Sequence, residues 1–215
     1  MYSPKTQIYD LTLPISRSLI VWPEDPAIDL HRVAKMEDGD DCNITRMAMS
    51  VHTGTHLDAP SHFIADGTHV ESLDLNTLVG PALVVDAEDA TQITAVLLDT
   101  LNIPANTTRL LIKTTNSERW IKGETSFYEE YVAVTDDGAQ WLVDHGIKLI
   151  GVDYLSVAPY SDLIIPHQIL LGAKVIPVEG LNLHHISPGE YQLICLPMLI
   201  KGSDGAPCRA ILMPL

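Results

Sequence analysis

The chain has 215 residues, of which 46% are apolar and 19% charged, and its 13 basic against 28 acidic residues give a formal net charge of −15. This is the composition of a globular protein rather than a disordered one, and we expect a single domain over residues 1–215. The acidic balance argues against a protein that binds nucleic acid or an anionic membrane surface.

The first half of the chain consists of short apolar runs that turn residues interrupt. Thr6–Leu13 is an apolar run and predicts a strand, whereas the two prolines of Leu19–Pro26 place Trp22 on a loop. Asn43–Val51 alternates in polarity, which predicts a strand with one buried face. The other elements that we expect in this half are strands at Ala82–Val85 and Leu110–Ile112 and a helix at Thr94–Leu101.

The second half contains two helical patterns among several strands. Gly138–His145 predicts a helix that stops at Gly146, and Ser161–Leu171 is expected to be helical only in part, because Pro166 interrupts it. The strands predicted in this half are Lys148–Val152, Lys174–Val178, Tyr191–Leu196 and Arg209–Met213. Because helices and strands do not alternate regularly, we expect an α/β or α+β domain with mixed sheets and few helices, not a Rossmann fold.

The cysteines and the distribution of apolar residues indicate a cytoplasmic protein. Cys42, Cys195 and Cys208 are odd in number and far apart, which is typical of a reducing compartment. The sequence has neither a basic segment followed by an apolar run at its start nor about 18 consecutive apolar residues anywhere. It therefore predicts no signal peptide and no membrane span.

The strongest chemical pattern is a cluster of three histidines and an aspartate between His52 and His62. His52, His56 and Asp58 offer the imidazole and carboxylate ligands that bind Zn²⁺, Mn²⁺ or Fe²⁺. Three protein ligands with open coordination positions are typical of a catalytic metal site, and His62 is then a candidate acid/base beside it. The alternative is a solvated loop whose histidines bind nothing.

The residues between these side chains predict how the chain folds around the cluster. Thr-Gly-Thr after the first histidine is a poor helix former, and Pro60 would break a helix that continued to the last one. We expect a strand that ends near Val51, a turn at Gly54 and a short extended piece in which His56 and Asp58 point the same way. The glycine then lets the first histidine return to the same point.

A second metal ion needs ligands from elsewhere in the chain. His167 and Glu179 are candidates, because they flank an apolar stretch that returns to a strand. Spacing alone does not choose them over the other histidines, which are His31, His69, His145, His184 and His185.

The segment His52-Thr-Gly-Thr-His56-x-Asp58-x-Pro60-x-His62 resembles the signature of the metal-dependent cyclase/hydrolase family, which includes bacterial kynurenine formamidases and isatin hydrolases. The three histidines and the aspartate match this signature together with its fixed glycine and proline. The resemblance covers nearly the whole chain, and its further segments are Val21–Pro23, Leu111–Thr114, Gly151–Val157, His167–Leu171, Glu179–Leu183 and Leu196–Ala210.

The resemblance implies a fold, an assembly and a set of site residues. The fold is a swivelling β/β/α-type domain, and the assembly is a homo-oligomer, either a dimer or a tetramer. The implied roles are metal ligands at His52, His56, Asp58, His167 and Glu179, with Asp58 bridging two ions, an acid/base at His62 and a substrate contact at Trp22.

The resemblance also implies a chemistry. The expected cofactor is a divalent metal, Zn²⁺ ahead of Mn²⁺, with two ions per chain. The expected reaction is hydrolysis of a small-molecule amide by metal-activated water, with an aryl formamide such as N-formylkynurenine, a compound of tryptophan catabolism, as the substrate. The alternatives are a hydrolase of a cyclic amide or lactone and a metal-binding protein without catalytic activity.

Overall fold

The computed structural model describes residues 7–215, which form ten strands and five α-helices. The strands β1 to β10 are Tyr9–Asp10, Asp29–Ala34, Ile44–Ala48, His56–Asp58, Val79–Asp86, Arg109–Lys113, Leu149–Val152, Ile176–Glu179, Gly189–Pro197 and Gly205–Pro214. The helices α1 to α5 are Leu75–Leu78, Ala95–Thr100, Ser117–Lys122, Asp136–Asp144 and Ile164–Gly172. Short 3₁₀ turns lie at Met36–Asp38, Pro60–His62 and Val70–Ser72. The expected α+β domain with few helices is confirmed.

Eight of the strands form one mixed sheet. Their order is β1-β10-β4-β8-β7-β6-β5-β9, and β9 also pairs with β10, so that seven strands close into a ring. Strands β5 to β8 are parallel and alternate with helices, which is more regular than the sequence predicts. No helix within residues 7–215 combines the length and the hydropathy that crossing a bilayer requires.

The core lies on both faces of the parallel strands. Leu110 and Ile112 of β6 pack against the helices, whereas Leu111 between them packs on the opposite face, inside the ring. Neighbouring side chains of a strand point to opposite faces, and here both faces are covered. Strands buried on two sides are continuous apolar runs, which explains the sequences of β6 and of Leu149–Val152.

Most predicted elements are confirmed, with boundaries that shift by a few residues. Thr94 and Thr135 cap α2 and α4 through their side-chain oxygens, so α4 begins two residues before the predicted start. Gly146 follows α4 in the left-handed region, with φ of +76°. Of the strand predicted at Thr6–Leu13, Thr6 lies outside the described residues, and the remainder forms only the two-residue β1.

Two predictions are wrong in part. Ser161–Leu171 is helical only in part, as expected, but Pro166 does not interrupt the helix, because it lies in the first turn of α5, where a backbone N–H has no partner within the helix. The strand predicted at Asn43–Val51 exists as β3, but it has no buried face. It pairs only with β2 in a separate two-stranded ribbon, and all five of its residues are exposed in the described part of the chain.

A buried carboxylate after β7 fixes the segment that leads into α3. Asp153 is fully buried and accepts hydrogen bonds from the backbone N–H groups of Thr114 and Ser117, at 2.7 and 3.2 Å. The hydroxyl groups of the same two residues also donate to it, at 2.7 and 2.8 Å. This network holds the start of the chain segment that continues to Ser156, a residue of the cavity described below.

We expect Asp153→Ala to lower the free energy of unfolding by about 2 to 6 kcal/mol, because two buried N–H groups lose their acceptor at about 1 to 3 kcal/mol each. Urea unfolding measures the change. The control is Asp162→Ala, at an exposed position, which should change stability by less than about 0.5 kcal/mol. Equal stabilities of the two variants would contradict the role of the network.

Candidate metal centre

The structure brings all five ligand candidates together at one place. His52, His56 and Asp58 offer ligand atoms that lie within 4.8 Å of one another, and Asp58, His167 and Glu179 form a second group by the same measure. Asp58 belongs to both groups. The shared carboxylate therefore lies where an ion in either group would contact it.

Strand pairing positions the central ligands. His56 and Asp58 are alternate residues of β4, so their side chains share one face of the sheet. His56 lies opposite Glu179, the last residue of β8, and Nε2 of His56 is 3.2 Å from Oε2 of Glu179. The short extended piece predicted from the sequence is thus present, and its neighbour in the sheet supplies another ligand candidate.

A glycine turn returns His52 to the same point. Gly54 has φ of +66°, a conformation that glycine adopts at little cost. Nδ1 of His52 consequently lies 3.0 Å from Oδ1 of Asp58. Thr55 holds the turn in place, because its hydroxyl donates to the carbonyl of Gly180 at 2.6 Å and accepts from the backbone N–H of Leu13 at 2.8 Å.

Two of the histidines direct Nε2 into the site. Nδ1 of His56 lies 2.9 Å from the carbonyl oxygen of Gly54, and Nδ1 of His167 lies 2.5 Å from that of Leu163. A carbonyl oxygen can only accept, so each Nδ1 carries the proton. In the neutral imidazole each Nε2 then keeps a free lone pair, as metal-binding histidines require.

The surroundings of the Asp58 carboxylate best show whether a metal ion fits the site. Asp58 is fully buried, and among residues 7–215 no group hydrogen-bonds to its Oδ2. The nearest imidazole nitrogen, Nε2 of His167, is 3.6 Å away. A buried carboxylate oxygen without a partner is costly, and a cation removes that cost. Nitrogen and oxygen donors of this kind suit a divalent ion such as Zn²⁺ or Mn²⁺.

The charges of the site are strongly coupled. Burial opposes ionisation of Asp58, but the hydrogen bond and charge of His52 outweigh it and hold the pKa of the carboxyl below its ordinary value. Burial likewise opposes protonation of His52, but Asp58 and Asp204 outweigh it and raise the pKa of His52 to about 9. A metal that binds through His52 therefore displaces a proton.

Four of the five ligand candidates, which are His52, His56, His167 and Glu179, form the floor of a cavity of about 170 Å³. Its walls are mainly apolar and aromatic, and they consist of Trp22, Asp25, His62, Phe63, Leu155, Ser156 and Leu163. His62 stacks on His52 with ring centroids 3.9 Å apart, and burial lowers the pKa of His62. Trp22 contacts Phe127 edge-on at 5.0 Å. The cavity thus contains both the acid/base candidate and the substrate-contact candidate from the sequence.

The remaining histidines do not join the site. His31, His69, His145, His184 and His185 neither line the cavity nor belong to a metal-binding group of the described chain. His145, for example, stacks on Trp141 at 3.6 Å. The choice of His167, which spacing left open, therefore agrees with the geometry.

Sequence reasoning missed several residues of the site. Oδ2 of Asp204 lies 2.9 Å from Nε2 of His52 and 3.5 Å from Nδ1 of His62, and Phe63 stacks on His167 at 4.2 Å. Asp204 lies in the C-terminal segment of the resemblance, which is the only signal that points to it. Phe63 directly follows the histidine cluster in the chain, but nothing in the spacing distinguishes it.

These features define a class of protein, a mixed α+β domain whose strand ends gather imidazole and carboxylate groups beneath an open cavity. Residues 9–159 match the model of a family described as putative cyclase. The chain belongs to this cyclase family.

Individual relatives cover almost the whole chain. Cyclase-like protein 3 of Oryza sativa subsp. japonica is 42% identical over an alignment 215 residues long, which covers 96% of this chain and 80% of that protein. A kynurenine formamidase of Bacillus cereus is 33% identical over 208 residues, 96% of this chain and 97% of that protein. A solved structure described as a potential metal-dependent hydrolase with cyclase activity superposes with a TM-score of 0.84 at 33% identity, covering 98% of both chains.

Proposed function

We propose that the protein is a metal-dependent hydrolase that cleaves the amide bond of an aryl formamide such as N-formylkynurenine and releases formate. The observation that carries the proposal is the buried oxygen of Asp58, which has no hydrogen-bond partner within residues 7–215 and faces His167 at the floor of the cavity. The similarity to a Bacillus cereus kynurenine formamidase and to a potential metal-dependent hydrolase supports it.

The ligand arrangement suits two divalent ions, Zn²⁺ ahead of Mn²⁺. His52, His56 and Asp58 would hold one ion, and Asp58, His167 and Glu179 the other. Bound there, a divalent ion would act as a Lewis acid on the carbonyl and would lower the pKa of water, so that a nucleophile is available at neutral pH.

His62 is suited to move the proton. Because burial lowers its pKa from the ordinary 6.5, the imidazole is neutral at pH 7 and can accept a proton from the attacking water. It then donates that proton to the nitrogen of the leaving aryl amine. Its stacking on His52 holds the ring at the edge of the ligand group.

The cavity walls indicate which part of the substrate is recognised. Trp22 and Phe63 present aromatic surfaces, which favour a planar aryl ring. Among the described residues that line the cavity, Asp25 is charged and no lysine or arginine is present. The walls therefore provide no cation for the amino-acid carboxylate of N-formylkynurenine, and we expect the aryl formamide portion to carry most of the recognition.

Trp22→Ala should raise KM for an aryl formamide about 5- to 30-fold while leaving KM for an aliphatic formamide nearly unchanged. The reason is that loss of aromatic packing costs about 1 to 2 kcal/mol for the aryl substrate only. Steady-state rates on formanilide and N-methylformamide measure the difference. Trp141→Ala, which removes a tryptophan of α4, is the control. An equal rise in KM for both substrates would contradict the stacking role of Trp22.

The substrate assignment has a direct test. Purified, zinc-loaded protein is assayed with N-formylkynurenine and with isatin, a cyclic aryl amide, before chelation, after chelation and after zinc is returned. Zinc-dependent release of kynurenine supports the proposal, whereas hydrolysis of isatin alone favours the cyclic amide alternative. Stoichiometric zinc binding without turnover of either substrate favours a metal-binding protein without catalytic activity.

We also propose that the chain forms a homo-oligomer, a dimer or a tetramer, in the cytoplasm. The β2–β3 ribbon supports assembly, because Val33, Ile44 and Met47 are 54%, 50% and 45% exposed. The free thiols of Cys195 and Cys208 suit a reducing compartment. Sedimentation velocity tests the assembly, and a monomer at micromolar concentration would contradict it.

A further inference from the structure

We propose that Asp204 is a positioning residue that orients both His52 and His62 through one carboxylate oxygen. Oδ2 of Asp204 is 2.9 Å from Nε2 of His52 and 3.5 Å from Nδ1 of His62. The inference rests on the proposed function, which makes His52 a metal ligand and His62 the acid/base.

The loop that carries Asp204 is anchored independently of the two histidines. The backbone carbonyl of Asp204 accepts a hydrogen bond from the N–H of Ala59 at 2.8 Å. Two residues earlier, the N–H of Gly202 donates to both carboxylate oxygens of Glu71, at 3.0 and 2.9 Å. The backbone that carries the Asp204 side chain is therefore held in place beside the two histidines, although the side chain is 49% exposed.

The residue after Asp204 shows how closely the His52 ring is held. Gly205 lies opposite Asp58 in the pairing of β10 with β4. A Cβ atom at Gly205 would come within 2.5 Å of Cε1 of His52, so only glycine leaves room for the imidazole. The ring is thus confined between the backbone of β10 and the stacked ring of His62.

The two nitrogens of His52 face two different carboxylates. Nδ1 lies 3.0 Å from Oδ1 of Asp58, inside the ligand group, whereas Nε2 faces Asp204. A metal-binding histidine gives one nitrogen to the ion and donates an N–H from the other, usually to a carboxylate or a carbonyl. Once a metal ion takes the place of the Nδ1 proton, Asp204 favours the tautomer with the remaining proton on Nε2, which leaves Nδ1 on the side of Asp58 for the ion.

Without Asp204, nothing on the outer side of His52 favours that tautomer. The proton can then reside on Nδ1 and donate to Asp58, which removes one donor atom from the metal site. His56 and His167 are protected against the same exchange by the backbone carbonyls of Gly54 and Leu163. His52 is the ligand candidate whose tautomer depends on a replaceable side chain.

The weaker contact with His62 extends the effect to proton transfer. His62 stacks on His52, and both rings approach the same oxygen of Asp204. Loss of the carboxylate frees both rings together, so metal affinity and kcat should fall, whereas KM, which depends on the aromatic walls, should change little.

The test compares Asp204→Ala, Asp204→Asn and the control Asp66→Asn, which removes the same charge from an exposed acid in the segment after the histidine cluster. Zinc affinity is measured by competition with a fluorescent zinc chelator. We expect a 10- to 100-fold loss for Asp204→Ala, the usual effect of removing such a partner. Asp204→Asn keeps an acceptor oxygen and should recover most of the affinity, and Asp66→Asn should match the wild type.

A second readout follows the Nε2 proton of His52 directly. Long-range ¹H–¹⁵N correlation spectra of the zinc-loaded protein should show this proton in the wild type, where the hydrogen bond to Asp204 slows its exchange with solvent, and its signal should be lost to exchange in Asp204→Ala. Wild-type affinity and an unchanged Nε2 proton signal in Asp204→Ala would overturn the inference. X-ray absorption or diffraction that shows an Asp204 oxygen bound to zinc would also overturn it, because Asp204 would then be a ligand.

Failure of the proposed function gives a different result. If the wild type binds zinc but hydrolyses neither N-formylkynurenine nor isatin, the function is wrong. The loss of affinity in Asp204→Ala and its recovery in Asp204→Asn would still establish the positioning of His52. If the wild type is active and Asp204→Ala keeps its zinc affinity and kcat, only the inference fails.

Discussion

Asp58→Ala should remove both the bound metal and the activity, with kcat/KM falling by at least about 10³-fold. A catalytic metal supplies several kcal/mol of stabilisation in the transition state, and each 1.4 kcal/mol is a factor of ten in rate. Asp58 is the one residue common to both ligand groups, with Oδ1 near His52 and Oδ2 near His167. Inductively coupled plasma mass spectrometry gives the metal content per chain, and initial rates on N-formylkynurenine give the loss of activity.

The controls for this prediction separate metal loss from misfolding. Asp66→Ala removes an exposed acid from the segment after the histidine cluster and should leave metal content and rate unchanged. Asp58→Asn preserves the shape of the buried side chain but not its charge, and it should lose the metal while keeping a cooperative thermal transition. Full metal content and wild-type rate in Asp58→Ala would rule out the bridging role.

His62→Ala should keep the metal and lose kcat by about 10²- to 10⁴-fold, which is the usual contribution of a general acid/base. The neutral form of His62 accepts the first proton. Since burial lowers its pKa below the ordinary 6.5, kcat/KM of the wild type should rise with pH below that value and level off by pH 7. The variant should lack this rise. Rates from pH 5 to 8 in excess zinc, with the metal content measured at each pH, test both statements.

A neighbouring histidine provides the control for His62. His69 is exposed and its Nδ1 contacts the hydroxyl of Ser61 at 2.9 Å, outside the ligand groups. His69→Ala should therefore retain the wild-type rate and pH profile. Loss of metal from His62→Ala would instead identify His62 as a ligand.

The local part of the site could be predicted from the sequence because it depends on neighbouring residues. Alternation along an extended chain is enough to place His56 and Asp58 on one face, and Gly54 permits the turn that returns His52. His167 and Glu179 come from α5 and β8, so spacing left them among several candidates. The family resemblance chose them, and the pairing of β4 with β8 gives the physical reason.

Other features could not be predicted, because they depend on long-range packing. Asp204 reaches His52 only because β10 pairs with β4, a contact between distant segments that no local pattern records. The alternation in β3 correctly predicted a strand but wrongly predicted a buried face, since that face requires a partner element that the described chain does not provide. Pro166 was misjudged because its effect depends on where the helix begins.

The proposed function requires a cation held where β4, β8 and α5 meet. Anomalous diffraction at the zinc edge, from crystals of zinc-loaded protein, tests this directly. We predict a peak about 2.0 to 2.2 Å from Nε2 of His167 and from Oδ2 of Asp58, the usual distances for zinc with nitrogen and oxygen ligands. Two results would contradict the proposed function. One is a map of fully zinc-loaded crystals without density between these atoms, and the other is a hydrogen bond from a protein donor to Oδ2 of Asp58.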